Sequence, residues 1–148
     1  MRTIWFDMDG TIANLYGVEN WLEMLRNNDP TPYIEAKPML NMSMLARMLH
    51  KAQNAGWRIG VISWLSKVPD DDYDLAVTRA KKEWLNKHLT SVGWDEICIV
   101  AHGTPKTDFI HSPDDILFDD EEKNRNIWAQ LGRAYGPEYI MEVLSEVV

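Results

Sequence analysis

Apolar residues along this chain fall into two alternating patterns. Short runs rich in β-branched or aromatic residues occupy 3–6, 58–62, 96–101 and 115–118, each bounded by polar residues or Gly, and a fifth short run stands at 133–135. Because these runs are apolar on both faces after their first residue, they suit parallel strands covered on both sides. Between them the period changes. Met44, Leu45, Met48 and Leu49 make an i, i+1, i+4, i+5 stripe that predicts a helix over 42–55, stopped by Gly56. Leu75, Val77, Ala80, Trp84, Leu85 and Leu89 predict a second over 74–89, and further helices are expected at 123–131, before Gly132, and at 137–147, with Pro137 in the first turn. The alternation predicts an α/β fold, a Rossmann-like three-layer sandwich around a central, mostly parallel sheet.

Composition narrows the class. The 148 residues fit one domain over 1–148, long enough to bury roughly two-thirds of the unfolded surface. An apolar fraction of 45% with seven Trp argues for a packed globule and against disorder. The formal charge of −8 repels nucleic acid phosphates and anionic membrane surfaces, so neither is an expected partner, and a small anionic substrate would need a local cation. Asp70, Asp71, Asp72 and Asp74 read as a solvated run. Cys98 is the single cysteine, within Ile97-Cys98-Ile99-Val100, and reads as a buried structural thiol. With no signal-like leader and no apolar run near the roughly 18 residues of a membrane span, a soluble cytoplasmic protein is expected.

An open parallel sheet binds ligands at the carboxyl ends of its strands, so the residues there carry the functional reading. They are Asp7 and Asp9 after the first run, Ser63 and Trp64 after the second, Lys106 in the loop after the third, and Asp119 and Asp120 after the fourth. Asp7 and Asp9, two apart on an extended chain, point the same way and place two like charges in one site. A divalent cation or a retained proton makes that tolerable, and both serve phosphoryl transfer. Gly10 permits a sharp turn that brings backbone amides towards phosphate oxygens, and Thr11 can hold the turn. The Ser63 hydroxyl and the Trp64 amide are candidate phosphate donors, although a strand-ending Ser also suits an ordinary turn or cap. Lys106 is a candidate cation for the nucleophile and phosphate together, with Lys67 as a second. Asp119 and Asp120 either hold a metal or begin an acidic helix that continues through Glu121 and Glu122. Oxygen-only donors without a His or Cys set point to Mg2+.

In order, Asp7-Met8-Asp9-Gly10-Thr11, Ser63, Lys106 and Asp119-Asp120 resemble the four motifs of the haloacid dehalogenase (HAD) superfamily. That resemblance implies a magnesium-dependent phosphomonoesterase with Asp7 as nucleophile and Asp9 as general acid and base. It also implies Gly10, Thr11, Ser63, Trp64 and Lys106 at the phosphate, and a metal held by Asp7, the backbone oxygen of Asp9 and Asp120, with Asp119 orienting water or Lys106. Ser63 with Lys67, the stretch Lys82-Glu83-Trp84, Lys106-Thr107 and Leu117-Phe118-Asp119-Asp120 are similar to 5'(3')-deoxyribonucleotidases, which implies a small phosphorylated substrate such as a deoxynucleoside monophosphate. Phe118-Asp119-Asp120-Glu121 with Asn124 and Asn126 instead resembles small phosphatases without a cap, which implies a phosphoprotein or other large substrate. The chain departs from the nucleotidases at Leu15, where they have an aromatic residue, at Thr11, and in its minimal cap insert over 14–37.

In that insert one amphipathic helix is expected over 18–26 with Trp21, Leu22 and Leu25, followed by Pro30, Pro32 and Pro38, which limit regular structure. It either covers a sheet edge or a partner subunit, as in a homodimer, or forms a small lid with Tyr16, Trp21 or Tyr33 against the substrate. Outside enzymes, the alternative is a non-catalytic HAD-like binding module, against which the intact Asp7 and Asp9 pair argues.

Overall fold

The computed structural model describes residues 1–148. In chain order its elements are β1 (Thr3–Phe6), β2 (Ala13–Asn14), α1 (Trp21–Arg26), α2 (Thr31–Glu35), β3 (Lys37–Pro38), α3 (Met42–Asn54), β4 (Arg58–Trp64), α4 (Asp71–His88), β5 (Glu96–Val100), β6 (Ile116–Phe118), α5 (Glu122–Trp128), β7 (Arg133–Tyr135) and α6 (Ile140–Val147). The five longer strands form one sheet in the order β5-β4-β1-β6-β7, and every neighbouring pair is parallel. This is the expected α/β sandwich, with β1 at its centre.

Alternation along β1 sorts the core into two layers. Ile4 and Phe6 face Leu45, Leu49, Trp84, Leu85 and Leu144 from α3, α4 and α6, whereas Trp5 faces Ile62, Leu117 and Trp128 on the side of α5. Gly60, opposite Trp5 in the ladder, leaves room for the indole, which a methyl there would overlap. The indole nitrogen is satisfied by Asp115, fully buried, whose carboxylate also accepts from the amides of Thr3 and His111 at 2.8 Å each.

Several sequence expectations shift. Within α3, Leu45, Leu49 and Ala52 are buried while Met44 is half exposed, because the stripe is narrower than four residues per two turns. The helix expected from 74 starts at Asp71. Asp70 is its N-cap, accepting the amide of Tyr73 at 2.8 Å, so the acidic run is a helix start as well as a solvated face. Leu75 points to solvent, and the buried face runs Tyr73, Val77, Ala80, Lys81, Trp84 and Leu85. Helix α5 ends at Trp128, and 137–139 form a 3-10 turn before α6. Cys98 is half buried on an edge strand, and burial pushes its thiol up.

The insert also differs. A 3-10 turn at Leu15–Gly17 precedes α1, which buries none of its residues, and Pro32 falls in the first turn of α2, where a missing amide costs nothing. Leu15 and Tyr33 pack on Tyr73, Val77 and Ala80 of α4, and the Trp84 indole donates to the Ala36 carbonyl at 2.7 Å. The insert is thus seated on α4 from Tyr73 to Trp84. No helix is long and apolar enough to cross a membrane.

Candidate active site

Strand order reverses at β1, with β4 on one side and β6 on the other, so the chain leaving β1 opens into a crevice between two loops. Asp7 is fixed at that point, its amide donating to the Phe118 carbonyl at 2.9 Å as the ladder's last rung. Asp119 is fixed likewise by the Tyr135 carbonyl at 3.1 Å. Two carboxylates from adjacent strands are therefore held side by side, and oxygens of Asp7, Asp119 and Asp120 all lie within 4.8 Å of one another.

Lys106 offsets this charge. Its Nζ lies 2.9 Å from Oδ1 of Asp7 and 2.7 Å from Oδ2 of Asp119, in a nearly dry site. Burial by itself would lower this lysine, but Asp7 and Asp119 outweigh burial and hold the ammonium above its ordinary value. Asp119 is fully engaged, since it also accepts from the Glu121 amide at 2.9 Å and from Asn124 at 3.1 Å. Even so, burial and then Asp7 push its carboxyl up. Asp120 has no lysine, and burial followed by Asp7 pushes it up to about 8. A carboxyl that must hold a proton in the absence of a counter-charge is one a cation would relieve. The donor set, three carboxylates with no nitrogen or sulfur, fits Mg2+.

Gly10 and Thr11 serve the acids more than an incoming anion. Gly10 has φ +82°, and a methyl there would overlap the Asp120 carboxylate, so only Gly both makes the turn and leaves room for that acid. Its amide already donates to Ala13 and that of Thr11 to Met8. The Thr11 hydroxyl donates to Oδ2 of Asp7 at 2.9 Å and accepts from the Asp120 amide at 3.1 Å. The expected phosphate donors at 10 and 11 are thus occupied within the turn, and Thr11 ties the first acidic loop to the last.

Asp9 stands apart from the three converging carboxylates. Its Oδ2 faces Nζ of Lys81 at 3.1 Å, a residue the sequence reading missed. Burial raises the Asp9 carboxyl, Lys81 works against that and Asp7 adds to it. Lys81 also donates to Oγ of Ser63 and to the Trp64 carbonyl, each at 2.7 Å. Ser63 and Trp64 are the last residues of β4 itself, not of a following loop. Trp64 donates to the Thr104 carbonyl at 2.9 Å, and its ring lies 5.3 Å from Nζ of Lys106. Lys67 is exposed at the rim of the same crevice. A sequence signal for Lys81 existed: it lies four residues from Val77 and from Leu85, on the buried stripe of α4, where a lysine needs partners. Asn124, one turn into α5, was noted only within a motif, and its role as a donor to Asp119 needed the fold.

The crevice opens into a cavity of about 760 Å3. Asp7, Asp9, Lys106 and Asp120 lie at its floor, and Tyr16, Trp21, Tyr33 and Trp64 contribute aromatic wall. Tyr16 and Trp21 pack edge to face with centroids 4.9 Å apart.

No family model and no curated protein sequence matches the chain. Solved structures do. A D,D-heptose 1,7-bisphosphate phosphatase from Burkholderia thailandensis is 17% identical with a TM-score of 0.60, over 98% of this chain and 99% of that one. The D,D-heptose 1,7-bisphosphate phosphatase from B. bronchiseptica, solved with magnesium and phosphate, is 15% identical with a TM-score of 0.55, over 90% and 78%. A Mesorhizobium loti protein provisionally described as a HAD-like phosphatase is 14% identical with a TM-score of 0.58, over 99% and 86%. At these identities the likeness establishes the fold: the chain has the Rossmann-like α/β architecture of HAD-like proteins.

Proposed function

We propose that this protein is a magnesium-dependent phosphomonoester hydrolase that works through an aspartyl phosphate on Asp7. The observation that carries the reading is Lys106 held between Asp7 and Asp119 at the floor of an open crevice, with Asp120 converging on the same point and no lysine of its own. An Asp nucleophile beside a dry cation, with a second carboxylate set apart and raised, divides the labour that phosphoryl transfer needs.

In the first half-reaction a carboxylate oxygen of Asp7 bonds to phosphorus as the ester P–O bond breaks. The Asp9 carboxyl gives its proton to the departing oxygen, releasing the alcohol. In the second, the Asp9 carboxylate takes a proton from water as the water oxygen bonds to phosphorus, which frees orthophosphate and regenerates Asp7. Lys106 stabilises the negative charge shared by Asp7 and the phosphoryl oxygens. Asp7, Asp120 and the backbone oxygen of Asp9 would hold the magnesium, with Asp119 positioned by Lys106 and Asn124. When bound, the metal supplies charge neutralisation for the phosphoryl group.

The aromatic wall contributed by the insert supports a small ester with a flat or ring-shaped leaving group, and a deoxynucleoside monophosphate is the substrate proposed. A turnover screen with magnesium over deoxynucleoside monophosphates, sugar phosphates and phosphopeptides tests it. Preference for a nucleotide supports the reading, preference for phosphopeptides replaces the substrate with a large one, and no hydrolysis of any ester removes the enzymatic reading.

A further inference from the structure

Two buried lysines divide the acids of this site. Lys106 takes Asp7 and Asp119, and Lys81, 1% exposed, takes Asp9. An ammonium has three hydrogens and no lone pair, so each of its close oxygen partners must accept. Lys81 donates to Oγ of Ser63 and to the carbonyl of Trp64, and pairs with Oδ2 of Asp9 at 3.1 Å. These three oxygens together fix where the ammonium sits. Tyr33 of the insert lies over it, ring centroid 5.1 Å from Nζ, and with Tyr73, Val77 and Ala80 closes off the site.

Two consequences follow for the neighbours. The Asp9 carboxylate is drawn away from the oxygens of Asp7, Asp119 and Asp120 and kept out of their cluster. Ser63, whose oxygen accepts from Lys81 and makes no other hydrogen bond within the chain, keeps its own proton without a protein acceptor.

Resting on the phosphatase reading above, we propose that Lys81 is a positioning residue of the reaction: it aims Asp9 at the leaving oxygen. The short insert then has a role besides lining the cavity, since Tyr33 keeps water from the ammonium that does the aiming.

The test compares two esters that differ in their need for a proton. The leaving group of p-nitrophenyl phosphate departs as a stable anion, whereas that of benzyl phosphate must be protonated. For Lys81→Met and Lys81→Arg, kcat/KM is measured on both esters with magnesium, with circular dichroism confirming the fold. Arg keeps the buried charge, so this variant serves if Met does not fold, yet a longer, planar guanidinium cannot meet Ser63, Trp64 and Asp9 as the compact ammonium does. The ratio of benzyl to p-nitrophenyl turnover is expected to fall by about 10- to 100-fold in both variants, part of the roughly 100- to 10,000-fold that a positioned acid supplies. Asp9→Asn is expected to show a fall at least as large, with Lys81→Met adding nothing to the ratio on top of it. Equal losses on both esters, or an unchanged ratio in Lys81→Arg, overturn the inference while leaving the phosphatase reading standing. A wild-type protein active on p-nitrophenyl phosphate alone also overturns it, since Asp9 then delivers no proton. Failure of the wild type on both esters, or full activity in Asp7→Asn, defeats the phosphatase reading and this inference with it.

Discussion

Nζ of Lys106 lies 2.9 Å from Oδ1 of Asp7, although 99 residues separate them in the chain. The contact joins the loop after β1 to the loop after β5 and supplies Asp7, the proposed nucleophile, with its only lysine. Substituting Asp7 by Asn keeps the shape and removes the attacking charge. Hydrolysis of p-nitrophenyl phosphate is expected to drop by at least about a thousand-fold. The metal-free variant is expected to melt no lower than the wild type, because one of three crowded carboxylates has gone. Steady-state kinetics and thermal melts check both statements.

Lys106 itself is a different case. Replacing it with Met leaves Asp7 and Asp119 facing each other, buried and without a cation. The expected loss is about 3–5 kcal/mol of folding stability in the absence of metal. Denaturant titration with and without magnesium measures it, and magnesium should recover part of the loss.

Asp119 and Asp120 should separate in metal binding. Asp119 already accepts from Lys106, Asn124 and the Glu121 amide, whereas the Asp120 side chain has no cationic partner and lies 3.4 Å from a Thr11 hydroxyl that Asp7 holds more closely. Asp119→Asn is expected to weaken magnesium binding by about 10-fold, as loss of an orienting neighbour does. Asp120→Asn should weaken it more. Calorimetric titration of magnesium ranks the two.

The same acid makes the metal-free protein sensitive to pH. Asp120 is raised from an ordinary 3.8 to about 8, so between those values the folded chain binds more protons than the unfolded one. Stability contributed by this group is therefore fully present below the ordinary value and is lost as pH rises through about 8. The melting temperature of metal-free protein is expected to fall across this interval more steeply than that of Asp120→Asn, and saturating magnesium should flatten the slope.

Helix α4 delivers Lys81, and its start depends on Asp70, which accepts the Tyr73 amide. Asp70→Ala is expected to cost about 1 kcal/mol in denaturant unfolding, the usual worth of an N-cap.

Much of this candidate site is legible in the sequence because the sites of open parallel sheets lie at strand ends, and strand ends can be read from where apolar runs stop. Asp7, Asp9, Ser63, Lys106, Asp119 and Asp120 were located in that way, as was the α/β alternation. The strands of the sheet were recognisable because each is apolar at nearly every position, the pattern that burial on both faces requires. What the pattern could not supply was pairing. The place of β1 between β4 and β6, and hence the meeting of Asp7 with Asp119, follows from sheet order, which depends on how helices cover the two faces. Nor could it show that the amides of Gly10 and Thr11 are spent inside their own turn, since that depends on where Met8 and Ala13 fold back.

Lys81 marks the boundary most clearly. In sequence its spacing from Val77 and Leu85 puts it on the buried stripe of α4 but names no partner. Only tertiary packing, which places Tyr33 above it and Asp9, Ser63 and Trp64 around it, supplies the partners. Motifs read along the chain identify the groups proposed to do chemistry. The groups proposed to aim them come from distant elements, and their partners are decided by which side chains the fold leaves no water to satisfy.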